Sequence, residues 1–282
     1  MINKTIPFFD PHKIALSGQA FRFVILDDTH VELVAKNRYL QIACLGNDDY
    51  AFSCSEAEFE DLWQDYFDLD RDYVKIYESI DPSDTYLKDA ADFGYGIRIL
   101  RQEPFETLIS YIISQRRSIP AITTSVERIS EAYGRKIKAP SLKAPFIKPS
   151  RDTYYAFPTC KALSKADLSA ISDMGVGYRD RYIVEAVHDI NSGKIDLPSL
   201  SKKSDNDLFE VLTSMFGVGT KVANCTMLFG FGRTGRFPVD VWIKRILDKY
   251  YGGSFDTSPY PETAGIMQQF MFYYERNGAS RS

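Results

Sequence analysis

Apolar positions in the first fifty residues follow a strand pattern. Residues 20–26 (Ala-Phe-Arg-Phe-Val-Ile-Leu) are β-rich and stop at Asp27-Asp28, a turn pair. His30–Ala35 and residues 39–44 follow at short spacing, so a small antiparallel sheet is predicted. Residues 56–68 are acidic, with Phe59, Leu62, Trp63 and Phe67 at helical intervals, and read as an amphipathic helix. From about residue 81 the period becomes helical and stays so. The expected helices are 83–92, 104–115, 119–133, 164–173, 179–191, 205–216, 220–231, 240–250 and 260–276. Pro104 suits a first helical turn. Ser164 and Asp205 are the expected N-caps of their helices. Residues 136–158, rich in Pro, Lys and Ser, read as an extended connector. The expected class is α+β: a small N-terminal antiparallel sheet domain with flanking helices (1–97), packed on an all-helical core (98–282).

Composition adds exclusions. The 282 residues are 44% apolar and 26% charged, ordinary values for a globular chain. No apolar run approaches the ~18 residues of a membrane span. No charged segment leads into a long apolar one at the N-terminus, so no signal peptide and an intracellular location, cytoplasmic, nucleoid or nuclear, are expected. The four cysteines are scattered, which argues for reduced thiols and against an iron–sulfur cluster. The three histidines are far apart, so no metal and no cofactor is expected. Net charge is −4, but unevenly spread. Residues 1–97 hold 8 Lys and Arg against 19 Asp and Glu; residues 98–282 hold 26 against 19. A basic second part points to a polyanionic partner.

Candidate chemistry lies in that second part. In Phe216-Gly217-Val218-Gly219-Thr220-Lys221-Val222 one helix ends, a two-glycine hairpin follows and a new helix begins. Exposed N–H groups at such a helix start form an anion site, although an ordinary tight connection has the same pattern. Lys221 falls in the first turn of the new helix, where the dipole disfavours an ammonium and favours the nucleophilic amine. Asp240, in Phe237-Pro238-Val239-Asp240, precedes an apolar-periodic helix. An N-cap role is compatible with a free oxygen facing a cationic transition state. Cys225 is one turn after Lys221, and Gln268 and Phe272 are one turn apart. A soft sulfur, an amide edge and a flat ring suit a planar heterocycle, while each alone equally suits a core.

These residues resemble the helix-hairpin-helix DNA glycosylase superfamily, of the bifunctional Lys/Asp type. The resemblance is nearest to 8-oxoguanine DNA glycosylases, through Ser17-Gly18-Gln19-Ala20-Phe21-Arg22, Leu100-Arg101-Gln102-Glu103-Pro104-Phe105-Glu106, Gly175-Val176-Gly177-Tyr178-Arg179 and Ala264-Gly265-Ile266-Met267-Gln268. It covers nearly the whole chain. It implies excision of 8-oxoguanine from duplex DNA, a Schiff base on Lys221 with Asp240 assisting, and β-elimination at the abasic site. By the same resemblance Gly18, Cys225, Pro238, Gln268 and Phe272 form the pocket for the damaged base. Gly18 offers a carbonyl to the N7–H that normal guanine lacks. Tyr178 and Arg179 are the wedge and the reader of the opposite base, and Gly217, Gly219 and Val222 offer backbone N–H groups to a phosphate. The pattern departs at Ser114-Gln115-Arg116-Arg117-Ser118, where the family has asparagines, and at Ala121, where it often has arginine. Arg116 and Arg117 are therefore expected either to bind phosphates or to plug the gap left by the flipped base. The expected partner is duplex DNA with a damaged purine, met by a monomer. Alternative readings are a glycosylase of the same superfamily for another damaged purine, and a non-catalytic hairpin protein that only binds DNA.

Overall fold

The computed structural model describes residues 1–278; the last four residues of the expected second domain lie outside the described residues. Five antiparallel strands form the N-terminal sheet in the order β1-β5-β4-β3-β2: β1 (Ile2–Thr5), β2 (Phe23–Ile25), β3 (His30–Ala35), β4 (Arg38–Gly46) and β5 (Asp49–Phe52). The expected strand over 20–26 shrinks to its last part, because residues 17–22 are held elsewhere. The sequence pattern missed β1 and β5, both four residues long. Two-residue hairpins set the register. Lys36-Asn37 joins β3 to β4 and Asn47-Asp48 joins β4 to β5, with positive φ at all four positions. That backbone twist matches the twist of the flanking strands.

Both faces of the sheet are covered, which is why β3 shows no clean alternation. On one face Val31, Leu33, Leu40, Ile42 and Phe52 pack with Phe59 and Trp63 from the 56–66 helix and with Phe67, which caps its C-terminal end. On the other lies the connector expected over 136–158. It carries a two-stranded ladder, Lys136–Lys138 with Thr153–Tyr155, and sets Tyr154 and Phe146 against Val34, Tyr39, Ala43 and Ala51. The buried Glu32 carboxylate anchors it, accepting from the Tyr39 and Tyr154 hydroxyls at 2.9 Å and from Ser150. Gln41 pairs both of its amide atoms with the backbone of Ile147.

The remaining helices form the core expected of them. At its centre the Pro104–Ser114 and Thr220–Gly230 helices pack through Leu108, Ile109 and Ile112 against Ala223, Met227 and Leu228, all fully buried. Helix 119–133 has the expected bounds. Residues 164–173 do not form one helix. Ser164 instead closes Cys160–Leu163, and Asp167 caps Leu168–Ile171, so the expected N-cap at Ser164 is corrected. Ser204, not Asp205, caps the Asp205–Ser214 helix, accepting the Asp207 N–H. Short helices at Pro11–Leu16, Tyr73–Glu78 and Leu197–Leu200 were not expected. Among the described residues no helix is long and apolar enough to cross a membrane.

A polar seam locks the segment around Gly18 to the helical core. Gln19 donates to the Arg98 carbonyl at 2.9 Å and accepts the Leu100 N–H at 2.7 Å, while Gln102 donates to the Gln19 carbonyl at 2.8 Å. Buried Arg98 donates to the carbonyls of Phe8, Pro7 and Asp68. Two of the motifs singled out above therefore bond to each other. Together they carry Gly18 to the ends of the Pro104–Ser114 and Ala264–Asn277 helices.

Candidate active site

One cleft of about 570 Å³ collects Gly18, Arg116, Arg117, Lys221, Cys225, Pro238, Asp240, Gln268 and Phe272 along its wall. Residues from five separate stretches of chain thus meet in one cleft. Tyr178, Arg179, Gly217, Gly219 and Val222 lie outside its lining.

The Lys221 side chain is held from two sides. Its Nζ lies 4.7 Å from the Tyr111 ring centroid and donates to Ser114 Oγ at 3.0 Å. Tyr111 stacks on Phe229, 5.6 Å between centroids and 12° between planes, so the platform under the lysine is rigid. Burial raises the Tyr111 phenol well above its ordinary range, with Cys225 and Asp240 adding to the effect. Tyr111 therefore stays neutral. Asp240 is the N-cap of Val241–Tyr250, its Oδ1 accepting from the Trp242 and Ile243 N–H groups at 2.9 Å. One carboxylate oxygen serves the helix; neither backbone bond uses the other.

Gly18 has φ +74°, and a Cβ there would stand 3.1 Å from both Phe272 and Ile119. A bare backbone is what lets the chain approach the pocket so closely. Cys225 lines the same cleft and is buried, and burial pushes its thiol up to about 11, with Lys221 pulling down and Asp240 pushing up. At neutral pH it is a neutral, polarisable wall rather than a nucleophile. Gln268 and Gln269 are both buried, and Gln269 Nε2 donates to Gln268 Oε1 at 3.1 Å.

The two arginines beside the cleft differ. Arg117 donates to the Gly175 carbonyl at 2.7 Å and to Ser125 Oγ at 3.1 Å. Burial and the neighbouring Arg179 both hold its guanidinium below the usual range. Arg116 is exposed and has φ +52°, an uncommon backbone state for a side chain of that size. Arg179 is buried, donating to the carbonyls of Val176 and Gln115, and it stacks under Tyr178 at 4.3 Å. It braces the 114–117 loop against the 175–179 loop. Tyr178 itself is 54% exposed.

At the hairpin, Gly217 has φ +79° and is covered by Tyr182, whose ring would stand 2.2 Å from an added Cβ. Gln115 Nε2 donates to the Gly217 carbonyl, tying the hairpin to the cleft loop. Gly219 is the extended N-cap, with open space where a Cβ would be and no side chain capping the helix. The first helical bond runs from Ala223 N to Gly219 O, leaving the Thr220, Lys221 and Val222 N–H groups without a partner inside the helix. The Val222 side chain is buried, so only its backbone is available for binding. Sequence reasoning missed Ser114 and Gln269, as well as Arg276, which also lines the cleft. Only spatial contact across distant elements reveals them.

Residues 1–108 match the family model described as 8-oxoguanine DNA glycosylase, N-terminal domain, and residues 109–269 that of the HhH-GPD superfamily base excision DNA repair protein. A probable N-glycosylase/DNA lyase of Methanothermobacter thermautotrophicus is 30% identical over 239 residues, covering 74% of this chain and 72% of the relative. The N-glycosylase/DNA lyase of Saccharomyces cerevisiae is 34% identical over 198 residues, covering 66% of this chain and half of the yeast protein. The crystal structure of Clostridium acetobutylicum 8-oxoguanine glycosylase/lyase, bound to double-stranded DNA with cytosine opposite 8-oxoguanine, is 32% identical. It superposes with a TM-score of 0.88 over 97% of this chain and 93% of the other.

Proposed function

The chain belongs to the HhH-GPD superfamily of base excision DNA repair proteins, in its 8-oxoguanine DNA glycosylase/lyase branch, and we propose that Lys221 and Asp240 carry its chemistry. The observation that supports this reading is the convergence of Lys221, Asp240, Gly18, Cys225, Gln268 and Phe272 on one cleft large enough for a purine.

The enzyme extrudes the lesion nucleotide from the duplex at a cost of a few kcal/mol. Phe272 and Cys225 hold the base between them, the Gly18 carbonyl accepts its N7–H, and Gln268 meets its Watson–Crick edge. The unpaired amides of Thr220–Val222 take a phosphate. Lys221 Nζ, as the neutral amine, attacks C1′ while the bond to the base breaks; that bond's electron pair leaves with the base, which takes up the proton shed by the new C1′–N bond. The Asp240 carboxylate stabilises the positive charge that develops on the sugar. The resulting aminal opens at C1′–O4′, the ring oxygen leaving as the 4′ hydroxyl, and the Schiff base so formed loses a C2′ proton and expels the 3′ phosphate by β-elimination, which cuts the strand. Exposed Arg116, on its left-handed turn, fills the gap left by the flipped nucleotide, and Tyr178 wedges beside it. Ala121 offers no guanidinium and Arg179 is occupied, so cytosine opposite the lesion is only weakly preferred. The protein works as an intracellular monomer, with residues 1–97 completing a pocket built mainly by 98–282.

Borohydride trapping tests this. A duplex carrying 8-oxoguanine opposite each of the four bases is expected to give a covalent adduct, absent in Lys221→Gln. Base release without any adduct would overturn the Schiff-base reading. A yield confined to cytosine would overturn the weak preference.

A further inference from the structure

The base cleft holds a cation to which the chemistry above gives no task. Arg276, in the last turn of the Ala264–Asn277 helix, lines the cleft with Gly18, Gln268 and Phe272. Its guanidinium carbon is 5.4 Å from the Phe272 ring centroid. Its Nη1 lies 3.3 Å from the point where a Cβ on Gly18 would stand. That nitrogen is buried and, among the described residues, has no hydrogen-bond partner. A buried donor left unpaired is costly, the more so when charged, and its persistence here points to an acceptor supplied by a ligand. Burial holds the guanidinium below its usual range and the Asp240 carboxylate offsets part of that, so the group senses the same site as the proposed catalytic pair.

Resting on the function proposed above, we propose that Arg276 is a further base-contacting residue, donating from Nη1 to the C8 carbonyl oxygen of flipped 8-oxoguanine. Gly18 supplies an acceptor to N7–H, and C8=O is the acceptor next to that N–H on the same ring edge. A carbonyl at Gly18 and a donor within a few ångströms of it are the complement of that edge. Normal guanine carries C8–H there and leaves Nη1 unpaired, which adds to its rejection. The contact strengthens during reaction. When the C1′–N9 bond breaks, its electron pair stays on the base and charge spreads onto O8, while Lys221 Nζ forms the new bond to C1′. Arg276 transfers no proton; it faces the growing negative charge with a fixed cation. Phe272 keeps the guanidinium in place whether or not a base is bound.

Single-turnover rates of wild type, Arg276→Leu and Arg276→Lys on an 8-oxoguanine duplex, beside strand cleavage of a preformed abasic duplex, test this. Loss of one charged hydrogen bond predicts excision about 10- to 100-fold slower in Arg276→Leu. The loss on the abasic duplex, which has no base to contact, is expected to be at least tenfold smaller. Arg276→Lys recovers part of the excision rate by keeping a charged donor. Equal losses on the two substrates would make Arg276 a structural residue, and excision within threefold of wild type would remove the contact altogether. A wild-type protein that does not release 8-oxoguanine would overturn the function itself. Wild-type release matched by Arg276→Leu would overturn only the Arg276 contact.

Discussion

Lys221 Nζ donates to Ser114 Oγ at 3.0 Å, and Ser114 Oγ donates in turn to the Tyr111 carbonyl at 2.8 Å. The serine hydroxyl thus has its proton committed to the backbone, and its lone pair faces the amine. That orientation aims the lysine from one helix at the end of another. Ser114→Ala removes the acceptor without opening a large hole. A neutral hydrogen bond is worth about 0.5–1.5 kcal/mol, so trapping on an abasic duplex is expected to slow about 2- to 12-fold. Affinity for the same duplex, read by fluorescence anisotropy, should change less than threefold. A loss beyond a thousandfold would mean that Ser114 handles a proton rather than positioning Lys221.

Asp240 has two tasks that substitution can separate. Its Oδ1 caps the Val241–Tyr250 helix through two N–H groups, and its charge faces the cleft. Asp240→Ala loses both. The cap alone is worth about 1 kcal/mol, or roughly 2–4 °C in melting temperature for a chain of this size. Asp240→Asn keeps an oxygen for the cap, so its melting temperature should stay within about 1 °C of wild type. Its excision rate should still fall about 100-fold or more, because the neutral amide no longer stabilises the developing cation. Full activity in Asp240→Asn would reduce Asp240 to a capping residue.

The placements of Lys221 and Asp240 were legible in the sequence because local grammar is strong at both: the first turn after a glycine hairpin, and the N-cap before an apolar-periodic helix. Helix 119–133 was legible to the residue for the same reason, its apolar face being uninterrupted. Strands β1 and β5 were not, since four residues between turns carry too little period to register. The connector over 136–158 looked extended because its Pro, Lys and Ser residues interrupt any helical or strand period. It is ordered by tertiary contacts instead, with Tyr154 and Ser150 reaching a carboxylate more than 110 positions away. Ser114 and Arg276 escaped notice likewise. Each is one polar residue on an ordinary helix until a distant glycine or lysine is brought against it. Arg116 and Arg117 were indistinguishable as a dipeptide, and only the Gly175 carbonyl tells the braced one from the free one.

The hairpin glycines divide labour in a way their spacing alone does not reveal. Gly217 combines φ +79° with a ring carbon of Tyr182 2.2 Å from any added Cβ. Gly217→Ala therefore meets both a strained backbone and a clash, at an expected cost of about 2–4 kcal/mol in urea unfolding. Gly219 has φ −92° and open space around it. Gly219→Ala should cost no more than about 1 kcal/mol, the loss of a glycine N-cap, yet the new methyl stands beside amides proposed to hold a phosphate. Its affinity for a duplex with an abasic analogue is expected to drop severalfold. Undiminished affinity in Gly219→Ala would move the phosphate away from this turn.

Glu106 makes stability depend on pH. It lies in the first turn of the Pro104–Ser114 helix, and burial pushes its carboxyl up to about 7. The Arg22 guanidinium, 3.9 Å away, pulls the other way, while Glu103 and Glu127 add to the rise. The folded state therefore keeps a proton that the unfolded chain gives up near its ordinary value of 4.5. Between those two values the native protein binds more protons than the unfolded one, so this group makes stability fall as pH rises from about 4.5 to about 7. Above about 7 its effect levels off. A shift of that size corresponds to about 3 kcal/mol over the full range between the two values. Other carboxylates contribute to the whole profile, so the readout is a difference between two proteins. Urea unfolding at pH 5 and pH 8 should show wild type losing about 2 kcal/mol more than Glu106→Gln over the same step. An identical pH dependence in the two would mean that Arg22 keeps Glu106 ionised in the native protein, and that the pairing outweighs the burial.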